Sequence, residues 1–178
     1  LAQLPETGPL AMVQAVFDHG RLMAFHANLR VRQGARGGAS HKRSVRLSEG
    51  RTMVRELGAA LSWHGALSAD LILTGAGPSI IDVNPRLVEP VNGGRSGVDL
   101  VGAMIDVGLH RHPAEQRDGR ASVVTHQLLL AILGAAQDGH GRRGVVKEVA
   151  SAIVRRGIYS ESSEEKTIRR HAQPAQAR

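Results

Sequence analysis

Asp70 and Asp82 stand twelve residues apart, and Asn84 and Arg86 follow Asp82 at steps of two in the stretch SIIDVNPRLVEP, Ser79 to Pro90. Residues two apart on a β-strand share a face. Asp82, Asn84 and Arg86 therefore form one row if the strand runs past Pro85. ALSADLILT and SIIDVNP flank a GAGP turn, Gly75 to Pro78, and read as a β-hairpin. An odd number of turn residues sets Asp70 and Asp82 on the same face across the ladder, and an even number sets them on opposite faces. Facing carboxylates repel unless something positive lies between them. A hard divalent cation would serve: two carboxylates and an amide oxygen suit Mg²⁺, with water and phosphate oxygens completing its octahedron. The alternative is two acids on a solvent face, with Arg86 as a surface partner.

A second constellation is basic. Between Arg30 and Arg46 lie six cations and no acid. Such a run is either a solvated loop or a site for an anion such as phosphate. The other candidate chemistries fare worse. LILTGAGPSI lacks the third glycine of a dinucleotide-binding turn, and Pro78 leads into a β-branched run instead of a helix. No G-x-S-x-G elbow is present and the chain has no cysteine, which removes thiolate chemistry and sulfur-based zinc sites. The nine histidines are scattered. His110 and His112 read as a solvated helix end, and His26 and His126 as core histidines.

The elements that must position these residues are legible in outline. PLAMVQAVF and RLMAFHANLRV read as two strands joined at Asp18–Gly20. A glycine-rich loop, Gln33 to Ser40, follows. Ser48 to Gly65 reads as a helix capped by Ser48, with Met53, Leu57, Ala60 and Leu61 on one face. SGVDLVGAMIDVGLH reads as a helix with Ser96 and Asp99 in a capping arrangement. SVVTHQLLLAILGAAQ reads as a buried helix and GVVKEVASAIVRRG as an amphipathic one. The expected class is α+β, an antiparallel sheet with flanking helices and a C-terminal helical extension. The polar chain from Glu161 onward is expected to be disordered.

Bulk properties narrow the function. The chain has 178 residues, enough for one domain with a sizeable core. Aromatic residues make up 2%, so the core must rest on Ala, Val, Leu and Ile. The net charge is +7, yet the basic segments contain almost no aromatics to stack on bases, which argues against a nucleic-acid binder. The longest apolar run, Leu128 to Ala136, is too short to cross a bilayer of about 30 Å. No signal-type opening and no cysteine fit a cytoplasmic protein.

IIDVNPR, preceded by HGALSAD and followed by VEPV and SGVDLV, resembles the C-terminal lobe of the ATP-grasp superfamily. The biotin carboxylase and carbamoyl phosphate synthase branch is the closest in pattern. The resemblance covers roughly residues 1–110 and implies a Mg-ATP-dependent ligase that activates a small carboxylate as an acyl phosphate for attack by an amine or other nucleophile. It implies that Asp70, Asp82 and Asn84 hold Mg²⁺, or Mn²⁺, bridging the ATP phosphates. Many members carry glutamate where this chain has its two aspartates. Arg86 matches the arginine that reaches the phosphorylated intermediate, and Glu89 is similar to a substrate-side glutamate one residue further along. His41 and Lys42 fall where relatives carry basic residues near the phosphates, and Gln3 falls on the hinge strand along which adenine lies. The implied division is a lobe over 1–112, a helical extension over 113–160 and a tail over 161–178. An ATP-grasp site also needs an N-terminal lobe, expected from sequence before Leu1 or from another chain. A non-catalytic assembly module derived from the same lobe is the alternative.

Overall fold

A computed structural model describes residues 5–138 and 141–165. Gln3 and the tail beyond Glu165 lie outside the described residues. Seven strands form one sheet: β1 (Leu10–Asp18), β2 (Arg21–Gln33), β3 (Ala39–Val45), β4 (Gly65–Thr74), β5 (Gly77–Asn84), β6 (Val124–His126) and β7 (Ser162–Glu164). Their order is β5-β4-β1-β2-β3-β6-β7. All neighbours run antiparallel except β6 and β7, which are parallel. The helices are α1 (Ser48–Ala60), α2 (Val91–Ser96), α3 (Leu100–Gly108), α4 (Leu128–Gln137) and α5 (Gly141–Ile153). The α+β expectation holds. Among the described residues no helix is long and apolar enough to cross a membrane.

The two faces of the sheet differ in chemistry because β1, β2 and β4 alternate. Ala11, Val13, Ala15 and Phe17 of β1 meet Leu67, Ala69 and Leu71 of β4 on one face, and Val54 of α1 closes that core. Helix α1 lies so close that a Cβ on Gly58 would stand 2.1 Å from a ring carbon of Phe17. On the other face the same strands present Gln14, His26, Asn28 and Ser68, all buried. One end of this polar face is sealed by Val98, Leu100, Ala103 and Val107 against Val16 and Ala24.

Four stretches depart from the sequence reading. The chain around His41 and Lys42 is an interior strand, β3, paired with β2 on one side and β6 on the other, and Ala39 to Lys42 are buried on both faces. The helix expected over SVVTHQLLLAILGAAQ begins only at Leu128, since the β-branched Val124 and Thr125 pair with β3 as β6. The helix expected from Ser96 begins only at Leu100, and Ser96 instead ends a separate helix, α2, which stops at Gly97 with φ +102°. Asp99 is itself the cap of α3, its carboxylate accepting the Gly102 N–H at 2.8 Å. Past Glu161, Ser162–Glu164 adds β7 beside β6.

Candidate functional site

The β4–β5 turn has two residues, Gly75 and Ala76, between the paired Thr74 and Gly77. Thr74 braces it: its hydroxyl donates to the Gly77 carbonyl at 2.8 Å and accepts the Ala76 N–H at 3.1 Å. By register alone an even turn would oppose Asp70 to Ile81 and send Asp82 to the far face. A β-bulge between the Leu71–Ile80 and Asp70–Asp82 pairs restores the match. Ile81 is the extra residue. Asp70 therefore faces Asp82 directly, and Ser68 faces Asn84.

The pairing continues across the sheet. Asp70 is level with Met12 of β1, which is level with Asn28 of β2, which is level with Ser44 of β3. Asp82 is exposed and Asp70 half-buried. Burial, and then the charge of Asp82, raises the Asp70 carboxyl above its ordinary range, and Arg30 opposes the shift. The Asn84 amide donates to Asp82 Oδ2 at 2.6 Å. Two opposed carboxylates beside an amide are a donor set of the kind a hard cation takes. The buried Asn28 Oδ1 has no hydrogen-bond partner among the described residues, so the face also offers an unused acceptor.

Lys42 lies on β3, three strands from Asp70, which is roughly 14 Å at the usual inter-strand spacing. One ion cannot touch both, so they would meet different parts of a ligand. Lys42 is buried and pairs with Glu89, and with Glu165 at 3.4 Å. Glu165 also accepts from Thr125 and Gln127. Asn92 of α2 donates to Thr125 and meets His26 Nε2 at 2.8 Å. The segment from Pro85 to Pro90 crosses this face and is held where the Val88 N–H donates to Gln14 Oε1 at 2.8 Å.

Solved structures share this arrangement of chain. The biotin carboxylase subunit of pyruvate carboxylase is similar at TM-score 0.52 and 18% identity, over 65% of this chain and 28% of that chain. The biotin carboxylase domain of the 2-oxoglutarate carboxylase of Hydrogenobacter thermophilus, solved with MgADP and bicarbonate, is similar at TM-score 0.50 and 18% identity over the same shares. The fold is that of an ATP-grasp lobe. The chain spans less than a third of the length of these relatives. No protein-family profile and no curated protein matches the sequence.

Within this fold the sequence candidates separate. Asp70, Asp82 and Asn84 come together on β4 and β5, and exposed Arg86 follows just past the end of β5. His41 does not join them. Adjacent strand residues point to opposite faces, and His41 is fully buried on the α1 side. There its ring meets Tyr159 edge-on at 4.9 Å between centroids and stacks with His126 at 5.4 Å. His41 thus packs beside a C-terminal segment in which Glu148 of α5 accepts from Arg32 and Tyr159. Gln14, Asn28, Asn92 and Glu165 carry no mark as site residues in the sequence, and His26 reads there as a core histidine. A signal existed for two: His26, Asn28, Arg30 and Arg32 alternate with apolar residues along β2.

Burial, with the His126 and Arg32 charges, holds His41 down to about 4. The unfolded chain binds its proton near 6.5, so stability is intact above that pH and drains away as pH falls from 6.5 toward 4. The loss reaches about 3 kcal/mol at roughly 1.4 kcal/mol per pH unit. Urea midpoints at pH 7 and 4.5 should fall further in the wild type than in His41→Gln. Equal losses would remove His41 as the cause.

Proposed function

We propose that this lobe holds Mg-ATP for a ligase that activates a small carboxylate as an acyl phosphate, which an amine or another nucleophile then attacks. The observation that carries the reading is the Asp70–Asp82 pair, facing across a bulged ladder with Asn84 beside it. These three side chains would hold Mg²⁺, or Mn²⁺. Bound there, the ion would neutralise phosphate charge as the phosphoryl group moves from ATP to the carboxylate. Lys42 would meet an anionic group on the ligand, with Glu89 beside it on the substrate side. Arg86 would stabilise charge on the phosphorylated intermediate, whose phosphate leaves when the nucleophile takes the acyl carbon. The MgADP and bicarbonate of the 2-oxoglutarate carboxylase domain support a nucleotide and a small carboxylate as ligands for this chain.

One observation favours a second reading, a binding module without catalysis. Lys42 already has two carboxylate partners, which leaves less positive charge for phosphate. Calorimetric titration of ATP into the chain, with Mg²⁺ and with EDTA, is the test. Binding that needs Mg²⁺ supports the nucleotide site. A folded chain that binds no Mg-ATP would leave the ligase reading without its carrying observation.

A further inference from the structure

A second group of ligand-type side chains lies where the β1–β2 turn meets the loop before β4. Asp18 ends β1, His19 follows it in the turn, and His64 immediately precedes β4. Gly65, next to His64, is five residues from Asp70, so this group sits roughly 17 Å along the strand from the hairpin acids. The two loops are tied together by the Gly20 N–H donating to the Trp63 carbonyl at 2.7 Å. His19 and Gly20 both take positive φ, 48° and 84°, which gives the tight two-residue turn that turns His19 back toward His64.

The distances are those of a coordination shell. His19 Nδ1 and His64 Nδ1 are 3.0 Å apart, and Asp18 Oδ1 lies 3.4 Å from the first and 3.7 Å from the second. Three atoms so spaced lie on a circle of radius about 2.0 Å, and Zn–N and Zn–O bonds are about 2.0–2.2 Å. One ion can therefore touch all three without any side chain moving far. The other carboxylate oxygen is already engaged: Asp18 Oδ2 accepts from His112 Nδ1 at 2.8 Å and from Arg21 at 3.2 Å. Those two bonds aim Oδ1 at the histidines, in the manner of the outer partners that orient metal-ligating carboxylates. Asp18 is buried while His19 and His64 are exposed, so an ion there would be anchored from beneath and open to solvent above.

We propose that Asp18, His19 and His64 form a surface site for a first-row divalent transition metal, Zn²⁺ first among them, with His112 as the positioning residue for the carboxylate. Two imidazoles and one carboxylate select against Mg²⁺ and Ca²⁺, which prefer all-oxygen shells. Three protein ligands leave one tetrahedral position for water or an exogenous ligand, the open form of a zinc site. His112 lies just past α3, in the HRH stretch that reads from sequence as a solvated helix end. The fold gives it a defined partner instead.

A plain hydrogen bond between the two imidazoles would give the same 3.0 Å contact, and the two explanations separate on titration. Zn²⁺ alone is titrated into the chain by calorimetry, with Co²⁺ as the spectroscopic substitute. The expected result is one Zn²⁺ per chain, not displaced by excess Mg²⁺, with visible Co²⁺ bands of four-coordinate intensity. His64→Ala should weaken Zn²⁺ at least tenfold. His19→Asn, an amide residue that tolerates positive φ, should do the same with the turn intact. His110→Ala should change nothing. No Zn²⁺ binding by the wild type at submillimolar concentration, or equal binding by His64→Ala and the wild type, overturns the proposal.

Discussion

Asp82→Asn is expected to abolish Mg²⁺-dependent ATP binding while leaving the fold as stable as before. The residue is exposed and makes its side-chain hydrogen bond with Asn84, so little packing is lost. The substitution also relieves repulsion with Asp70 directly across the ladder, which moves stability, if at all, by a few tenths of a kcal/mol upward. For the ion the effect has the opposite sign. A hard divalent cation is held mainly by the charge of its oxygen ligands, and one of two carboxylates becomes a neutral amide. A loss of at least about 100-fold in Mg-ATP affinity, about 2.7 kcal/mol, is the expected magnitude. Asp70→Asn should match it. Titration calorimetry reads the affinity, and urea denaturation shows that the variants stay folded. A variant that keeps wild-type, Mg²⁺-dependent affinity would show that the facing carboxylates do not hold the metal.

Lys42→Met should cost the fold about 3–5 kcal/mol, the usual cost of removing one member of a buried ion pair. Lys42 is 3% exposed, and its ammonium is the cation beside Glu165, itself 7% exposed. Methionine fills the aliphatic volume but leaves Glu165 with hydrogen bonds from Thr125 and Gln127 and, among the described residues, no ion-pair partner. Glu89 is less affected, because 41% of its side chain is exposed and water can replace the lysine. The double variant Lys42→Met, Glu165→Gln should recover much of the loss, since the uncompensated charge goes with the lysine. Urea midpoints of the four proteins form a double-mutant cycle that isolates the pair. A loss below about 1 kcal/mol for Lys42→Met, or no recovery in the double variant, would show that the buried pair does not tie the C-terminal segment to the sheet.

The legible part of this protein is local. The turn signal at Asp18–Gly20 between PLAMVQAVF and RLMAFHANLRV marks two strands, and both are present as β1 and β2. The row of Asp82 and Asn84 follows from the period of two within a single strand, and the resemblance to an ATP-grasp lobe rests on the same short stretch. Local pattern failed where partners came from far away. Val124–His126 was read into a helix because the following Leu128–Gln137 is strongly helical, and only pairing with β3 makes it a strand. The basic run from Arg30 to Arg46 was read as one patch. A central strand sends His41 and Lys42 to opposite faces, and each then takes a different set of partners.

What the sequence determined by itself was which side chains share a strand face, because that depends only on backbone geometry between near neighbours. It also limited the chemistry, having no thiol and few aromatics but paired acids, an amide and clustered cations. The tertiary structure decided which of these meet. Asp70 opposes Asp82 through a bulge at Ile81 that overrides the even turn, and Lys42 meets Glu165 across 123 residues. His64 and His112 reach Asp18 from two separate loops. Such meetings are settled by strand register and by the burial of apolar faces against α1 and α3. The contacts of Lys42 with Glu165 and of His64 and His112 with Asp18 join residues 46 to 123 positions apart, and no stretch of ten or twenty amino acids contains them.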